Sequence, residues 1–182
     1  MAVFSWNARG LGEYDKIIFL HDVICKFRIS FLGIQETKKV SLSDALLNSI
    51  SGSFNFVWTW VPSQGQSGLL GVNTDVFEVL SSEIGRFYAL FCVKERSSGF
   101  VCNIVTVYGA PHAKDKVAFL VELVHIFSSS NVPLLVGGDF NLIRRSNESS
   151  KQRRISKWSR LFNAIIENWN MKDIEIPGRR FT

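Results

Sequence analysis

Apolar positions change their period along this chain, and the changes predict alternating strands and helices. Residues 3–6 are a short run of strand formers that gives way to the turn-prone segment Asn7-Ala8-Arg9-Gly10-Leu11-Gly12. Between residues 13 and 27, Ile17, Ile18, Leu20, His21, Ile24 and Phe27 recur at helical spacing. Asp15, Lys16, Asp22 and Lys26 fall opposite them, which predicts an amphipathic helix. Residues 29–34 read as a buried strand closed by Gln35-Glu36-Thr37-Lys38, and residues 43–50 as a short helix with Ser43 at its N-cap. Two strand–helix units so early argue for an α/β domain.

The middle of the chain is richer in strand formers. Runs at residues 54–61, 69–73, 77–80, 87–93 and 100–108 predict strands, with a glycine-containing turn at 62–68 and a hairpin turn at Arg96-Ser97-Ser98-Gly99. Residues 117–127 have a helical period. Residues 132–136 are wholly apolar and lead into a polar loop, Gly137-Gly138-Asp139-Phe140-Asn141. Residues 144–154 are basic and irregular, and Ile155, Trp158, Leu161, Phe162, Ile165, Ile166 and Trp169 mark one face of a last helix.

Composition bounds the class. With 182 residues, 46% hydrophobic and 20% charged, the chain can bury one domain's core, and disorder is excluded. The net charge of +5 suits an anionic partner, and its distribution is more informative than its size. From Arg144 onward, ten Lys and Arg against four acids leave +6, so the first 143 residues sum to −1. The three cysteines are widely spaced and form no CxxC pair, which indicates neither a disulfide framework nor a zinc site and suits a reduced, intracellular setting. The N-terminus has no basic region followed by an apolar core, and no apolar run approaches a membrane span.

Candidate chemistry gathers at strand ends. Asn7, Glu36, Tyr108, Asp139 and Asn141 all lie at or just past the carboxyl end of an apolar run, where α/β sheets bind ligands. In extended backbone Asp139 and Asn141 point to one side and present a carboxylate and an amide together. Glu36 supplies a second carboxylate, and a few oxygen ligands are what Mg²⁺ takes. Each residue also has a plainer reading. Asp139 and Asn141 can cap a turn, Asn7 can form one, Glu36 can be a solvated loop acid and Tyr108 a core residue. His21 and His125 sit in helical patterns beside apolar residues, which favours packing, and His112 opens a helix after Pro111.

Taken together, SWNARGLG (5–12), IQETK (34–38), VYGAP (107–111), GGDFN (137–141) and GRRFT (178–182) resemble the endonuclease/exonuclease/phosphatase superfamily. Their wording is most similar to the endonuclease domain of plant LINE-type (non-LTR) retrotransposons. The resemblance implies a single DNase I-like domain over residues 1–182, a four-layer α/β/β/α sandwich with its last strands missing. It also implies Mg²⁺- or Mn²⁺-dependent hydrolysis of phosphodiesters. By that resemblance Glu36 binds the Mg²⁺, Asn7 helps place the metal or phosphate, Asp139 orients or deprotonates the attacking water, and Asn141 and Tyr108 donate to phosphoryl oxygens. Arg9, Arg144, Arg145, Arg179 and Thr182 are the implied contacts to the backbone of double-stranded DNA. The parent would carry a fused reverse transcriptase and work in the nucleus.

Two departures stand out. Ser67-Gly68-Leu69-Leu70-Gly71-Val72 matches the family's Ser-Gly-Gly strand only loosely, and the family's terminal Ser-Asp-His motif has no counterpart before Thr182. The expectation is a crippled nicking endonuclease. The competing readings are a non-catalytic nucleic-acid binder with a basic C-terminal fifth, or another phosphoesterase of the superfamily, an abasic-site endonuclease or a phosphatase.

Overall fold

The structure, a computed structural model, describes residues 1–39, 41–61, 68–148 and 154–174. The chain divides into two compact units, Met1–Tyr108 with Ser130–Asp139, and Gly109–Ser129 with Phe140–Thr182.

Both sheets belong to the first unit. One has the order β1-β2-β4-β3, built from β1 (Val3–Asn7), β2 (Phe31–Gln35), β3 (Phe56–Val61) and β4 (Gly68–Asn73). The other has the order β5-β6-β7-β8, from β5 (Phe77–Ile84), β6 (Tyr88–Glu95), β7 (Val101–Tyr108) and β8 (Leu134–Asp139). The pairs β1–β2 and β7–β8 are parallel and the others antiparallel. The β6–β7 hairpin turns where expected, through Gly99 at φ +73.

Period-two alternation gives each strand of the first sheet two jobs. Leu32, Ile34 and Leu69 face α1 (Tyr14–Phe27) and α2 (Asp44–Ser51), which bury Ile17, Leu20, Val23, Ile24, Leu47 and Ile50 against them. Phe31, Leu70 and Val72 face the second sheet and meet Phe77, Ala89, Phe91, Val93 and Ile104. The Phe31 and Phe77 rings lie 4.5 Å apart between centroids. Full burial of each such side chain contributes about 1.5–3 kcal/mol, so this inter-sheet layer is a large stabilising term.

The helix ends follow their local chemistry. Ser43 Oγ accepts from the Leu46 amide at 3.3 Å and caps α2, as the sequence predicts. Helix α1 closes on Arg28 in the left-handed region. Its buried stripe runs through Val23, whereas Ile18 and Phe27, expected on the apolar face, are exposed. Ile18 falls on the far side of the helix from the stripe's centre line, and Phe27, which lies in line with the stripe, is the helix's last residue.

The second unit contains α3 (Lys116–Ser129) and α4 (Lys157–Asn168), with short 3₁₀ turns at Ala113–Asp115 and Ser146–Glu148. Ser156 caps α4 by accepting from Ser159 N at 3.0 Å. An apolar groove of about 250 Å³ runs between the two helices, past Leu120, Val124, Trp158 and Leu161. Among the described residues, no helix is long and apolar enough to cross a membrane.

Among the described residues, two sheets and four α-helices make the mixed α/β fold expected from the sequence. One boundary is corrected. The segment Gly137-Gly138-Asp139, read as loop, continues β8 in register with Thr106, Val107 and Tyr108. Gly138 adopts φ +133 and lies so close to β7 that a Cβ would stand 2.1 Å from the Val107 carbonyl oxygen. A side chain there would break the pairing, and its absence carries the strand on to Asp139.

Candidate functional site

Parallel pairing brings strand ends together. Asn7 ends β1 beside Gln35 of β2, and Tyr108 ends β7 beside Asp139 of β8. The two pairs belong to different sheets of one unit, and hydrogen bonds join their ends. The Asn7 side-chain amide donates to Glu36 Oε1 and to Asp139 Oδ2, each at 2.9 Å. The Tyr108 hydroxyl donates to the same Glu36 Oε1 at 3.0 Å. Asn7 is itself held, since its Oδ1 accepts from the Arg9 amide at 3.2 Å.

The placement of Glu36 depends on a backbone reversal. Continued strand alternation would send its side chain to the helix side, with Leu32 and Ile34. Glu36 instead adopts φ +54, which ends the strand and returns the carboxylate to the inter-sheet side. A left-handed non-glycine residue costs about 1 kcal/mol or more, so the surroundings must hold it. They do so by extending the β1–β2 pairing past both strands. Ala8 N donates to Gln35 O, Gly10 N to Glu36 O and Leu11 N to Thr37 O, at 2.7–2.9 Å.

Sequence reasoning missed three contributors nearby. Lys16, assigned to the solvent side of α1, donates its ammonium to Ala8 O at 3.1 Å and Gly10 O at 3.0 Å and so ties down the loop after Asn7. Gln35 and Thr106 are joined by a buried hydrogen bond of 2.8 Å between the sheets. No periodicity marks Lys16; a polar residue at an inward strand position was the available signal for Gln35 and Thr106.

Asn141 departs from expectation. The backbone leaves the extended region after Asp139, and Asn141 has φ +51, so the two side chains do not share a strand face. Its Nδ2 donates to Gly109 O at 2.8 Å, and its carbonyl accepts from the buried Lys116 ammonium at 2.6 Å. These bonds lie within the second unit and make Asn141 the centre of a fixed turn. Arg144 is likewise committed, with its Nε on Asn163 Oδ1 at 3.1 Å and its guanidinium paired with Asp173. Arg145 is more open, 69% exposed with a loose 3.9 Å contact to Asp173. Arg9 is exposed at φ +50 beside Asn7. Arg179 and Thr182 lie outside the described residues. His21 and His125 are in helices; His21 is half-buried with its Nε2 3.5 Å from Cys25 Sγ, whereas His125 is exposed, so the packing expected of it is not found.

Glu36 and Asp139 offer an all-oxygen donor set within reach of one amide nitrogen, a set that fits a hard divalent cation. Among the described residues no group of three or more His, Cys, Asp or Glu side chains converges. Two carboxylates without a full protein cage are what Mg²⁺ or Mn²⁺ accepts, with water and phosphate oxygens completing the shell.

Comparison with known proteins places this geometry in context. A model of the Endonuclease/Exonuclease/phosphatase family matches residues 4–181. No curated protein sequence matches the chain. Among solved structures, the human Nocturnin catalytic domain with bound sulfate anion is similar, with a TM-score of 0.56, 17% identity, and coverage of 76% of this chain and 64% of that one. The mannosyl-6-phosphatase Bt3783 of Bacteroides thetaiotaomicron aligns with a TM-score of 0.60 and 15% identity over 89% of this chain and 69% of its own. TDP2 of D. rerio, complexed with single strand DNA product, gives a TM-score of 0.59 and 15% identity over 92% and 64%. At these identities the likeness is one of fold. The chain spans less than two thirds of the Nocturnin and TDP2 structures.

Proposed function

The chain belongs to the endonuclease/exonuclease/phosphatase family, and from that premise we propose that it is a divalent-metal-dependent phosphodiesterase that nicks DNA, of the retrotransposon endonuclease type. The observation that carries the proposal is the convergence of Glu36 and Asp139, from different sheets, on the Asn7 amide.

Attack on a phosphodiester builds negative charge on the nonbridging oxygens and on the leaving oxygen. Glu36, with Asp139 close by, would hold Mg²⁺ or Mn²⁺, which supplies Lewis-acid stabilisation of that charge. Asp139 orients the attacking water and takes its proton. Tyr108 and Asn7 are neutral donors that turn from Glu36 toward the phosphoryl oxygens as the charge develops. Asn141 and Lys116 hold the turn that follows Asp139. Within this set, proton transfer falls to the Asp139 carboxylate.

DNA as substrate is supported by the +6 carried from Arg144 onward and by the exposed Arg9 and Arg145. The retrotransposon reading is supported by the wording of the five motifs, and with it go a fused reverse transcriptase and work in the nucleus. The competing reading is a non-catalytic nucleic-acid binder, favoured by the same basic segment.

A supercoiled-plasmid assay separates them. Nicking that needs Mg²⁺, stops in EDTA and is lost in both Glu36→Ala and Asp139→Asn establishes the enzyme. Salt-sensitive binding to the plasmid without any metal-dependent product overturns it in favour of the binder. Release of phosphate from a phosphomonoester, without nicking, would replace the DNA substrate with a small one.

A further inference from the structure

The four groups of the site are split between two sheets. Asn7 and Glu36 come from β1 and the end of β2, Tyr108 and Asp139 from β7 and β8. Their spacing therefore depends on how far apart the sheets stand at this end. Most of the inter-sheet layer is apolar, from Phe31 to Ile104. Such packing is non-directional and tolerates small slides, whereas a buried hydrogen bond weakens steeply with distance and angle.

One buried hydrogen bond crosses between the sheets just below the site, from Gln35 Nε2 to Thr106 Oγ1 at 2.8 Å. Gln35 is 2% exposed and Thr106 3%. Gln35 immediately precedes Glu36, and Thr106 is two residues before Tyr108, on the same strand face. The Gln35 amide also meets Ser5 Oγ of β1 at 3.3 Å, within its own sheet. Gly33 makes room for the contact, because a Cβ there would stand 2.8 Å from Thr106 Oγ1. Bare backbone opposite the threonine lets the sheets approach to hydrogen-bonding distance.

We propose that the Gln35–Thr106 bond is the link that sets the gap between the two halves of the site, and that Gln35 and Thr106 are positioning residues for Asn7, Glu36, Tyr108 and Asp139. The inference rests on the reading of those four as the reacting cluster.

The test uses the Asn7 side-chain amide, whose hydrogens bond carboxylates from both sheets, as a reporter independent of metal and substrate. Its ¹H–¹⁵N signals and exchange with water are compared in the parent chain, Thr106→Val, Thr106→Ser, Gln35→Met and Ser5→Ala. Loss of amide protection in Thr106→Val and Gln35→Met, its retention in Thr106→Ser and no change in Ser5→Ala are expected. In plasmid nicking Thr106→Val and Gln35→Met should lose kcat by about tenfold to a hundredfold, as for a displacement of order 1 Å, with KM unchanged. An unchanged amide in a folded Thr106→Val or Gln35→Met overturns the proposal, as does an equal loss in Ser5→Ala. Failure of both variants to fold marks the bond as a general stabiliser and overturns it too. Absence of hydrolysis in the parent chain sinks the functional reading alone, since the amide comparison does not need turnover.

Discussion

Glu36 and Asp139 share one donor, the side-chain nitrogen of Asn7, at 2.9 Å each. A neutral amide between two carboxylates donates to one oxygen of each and carries no charge of its own to offset theirs. That arrangement is poor as a stabilising contact, and two carboxylates this close have the donor chemistry that suits a hard cation.

Glu36→Gln keeps an acceptor for Asn7 and Tyr108 and removes one of the two like charges. In EDTA the variant should be more stable by about 1 kcal/mol, a rise of roughly 2–4 °C in Tm. Mg²⁺ should raise the parent's Tm by linkage, and this gain should vanish in the variant. Thermal melts with and without Mg²⁺ check both; a lower Tm in EDTA contradicts the electrostatic account.

Asn7→Asp works in the opposite direction. It replaces the shared donor with a third carboxylate, so the metal-free protein should lose roughly 2 kcal/mol. Mg²⁺ should then restore more stability than it gives the parent, as read from urea midpoints at increasing Mg²⁺.

Tyr108→Phe removes only the hydroxyl that meets Glu36, at a residue 8% exposed. The stability cost should be no more than about 1.5 kcal/mol, the range for one hydrogen bond. Loss of a donor to a developing oxyanion should lower kcat by about a hundredfold with little change in KM. Steady-state nicking kinetics separate the two effects.

The cysteines should differ sharply in reactivity. Cys25 is exposed, whereas burial, followed by the neighbouring Cys92 and Glu95, pushes the Cys102 thiol above its ordinary value of 9.0. Pulsed iodoacetamide labelling with mass spectrometry should modify Cys25 first and spare Cys102 until the chain unfolds. Because the folded pKa is the higher one, the neutral Cys102 thiol contributes stability that is fully present below the unfolded pKa. That contribution is lost as the pH rises from there through the folded value. Urea midpoints at pH 8 and pH 10 should fall in that order.

Much of the fold was legible because burial imposes a period. The run at 29–34 and the helix at 13–27 follow from the alternation and spacing that put Leu32 and Ile34 against Leu20 and Ile24. Asn7, Glu36, Tyr108 and Asp139 were legible as strand-end polar residues. Their geometry was hidden in backbone departures that composition does not record, the left-handed φ at Glu36 and at Asn141. The glycine pair before Asp139 reads as a turn until the backbone of Val107 is known to lie against it. Lys16 gave no signal, and Gln35 only that of a polar residue at an inward strand position, for a different reason. Their partners, Thr106 and the carbonyls of Ala8 and Gly10, are fixed only by tertiary structure.

The parallel pairing of β7 with β8 also has a consequence for the order of events in synthesis. The Asn7–Asp139 bond spans 132 residues, and β8 is the last strand among the described residues. On a ribosome the first sheet and the β5–β7 meander can form while Asp139 is still untranslated, and until then the Asn7 Nδ2 has one of its two carboxylate partners. Long loop closures of this kind are slow. The nascent chain therefore carries the first sheet and the β5–β7 meander before the Asn7–Asp139 bond can form, and a cation that needs both carboxylates would select only chains in which β8 has docked.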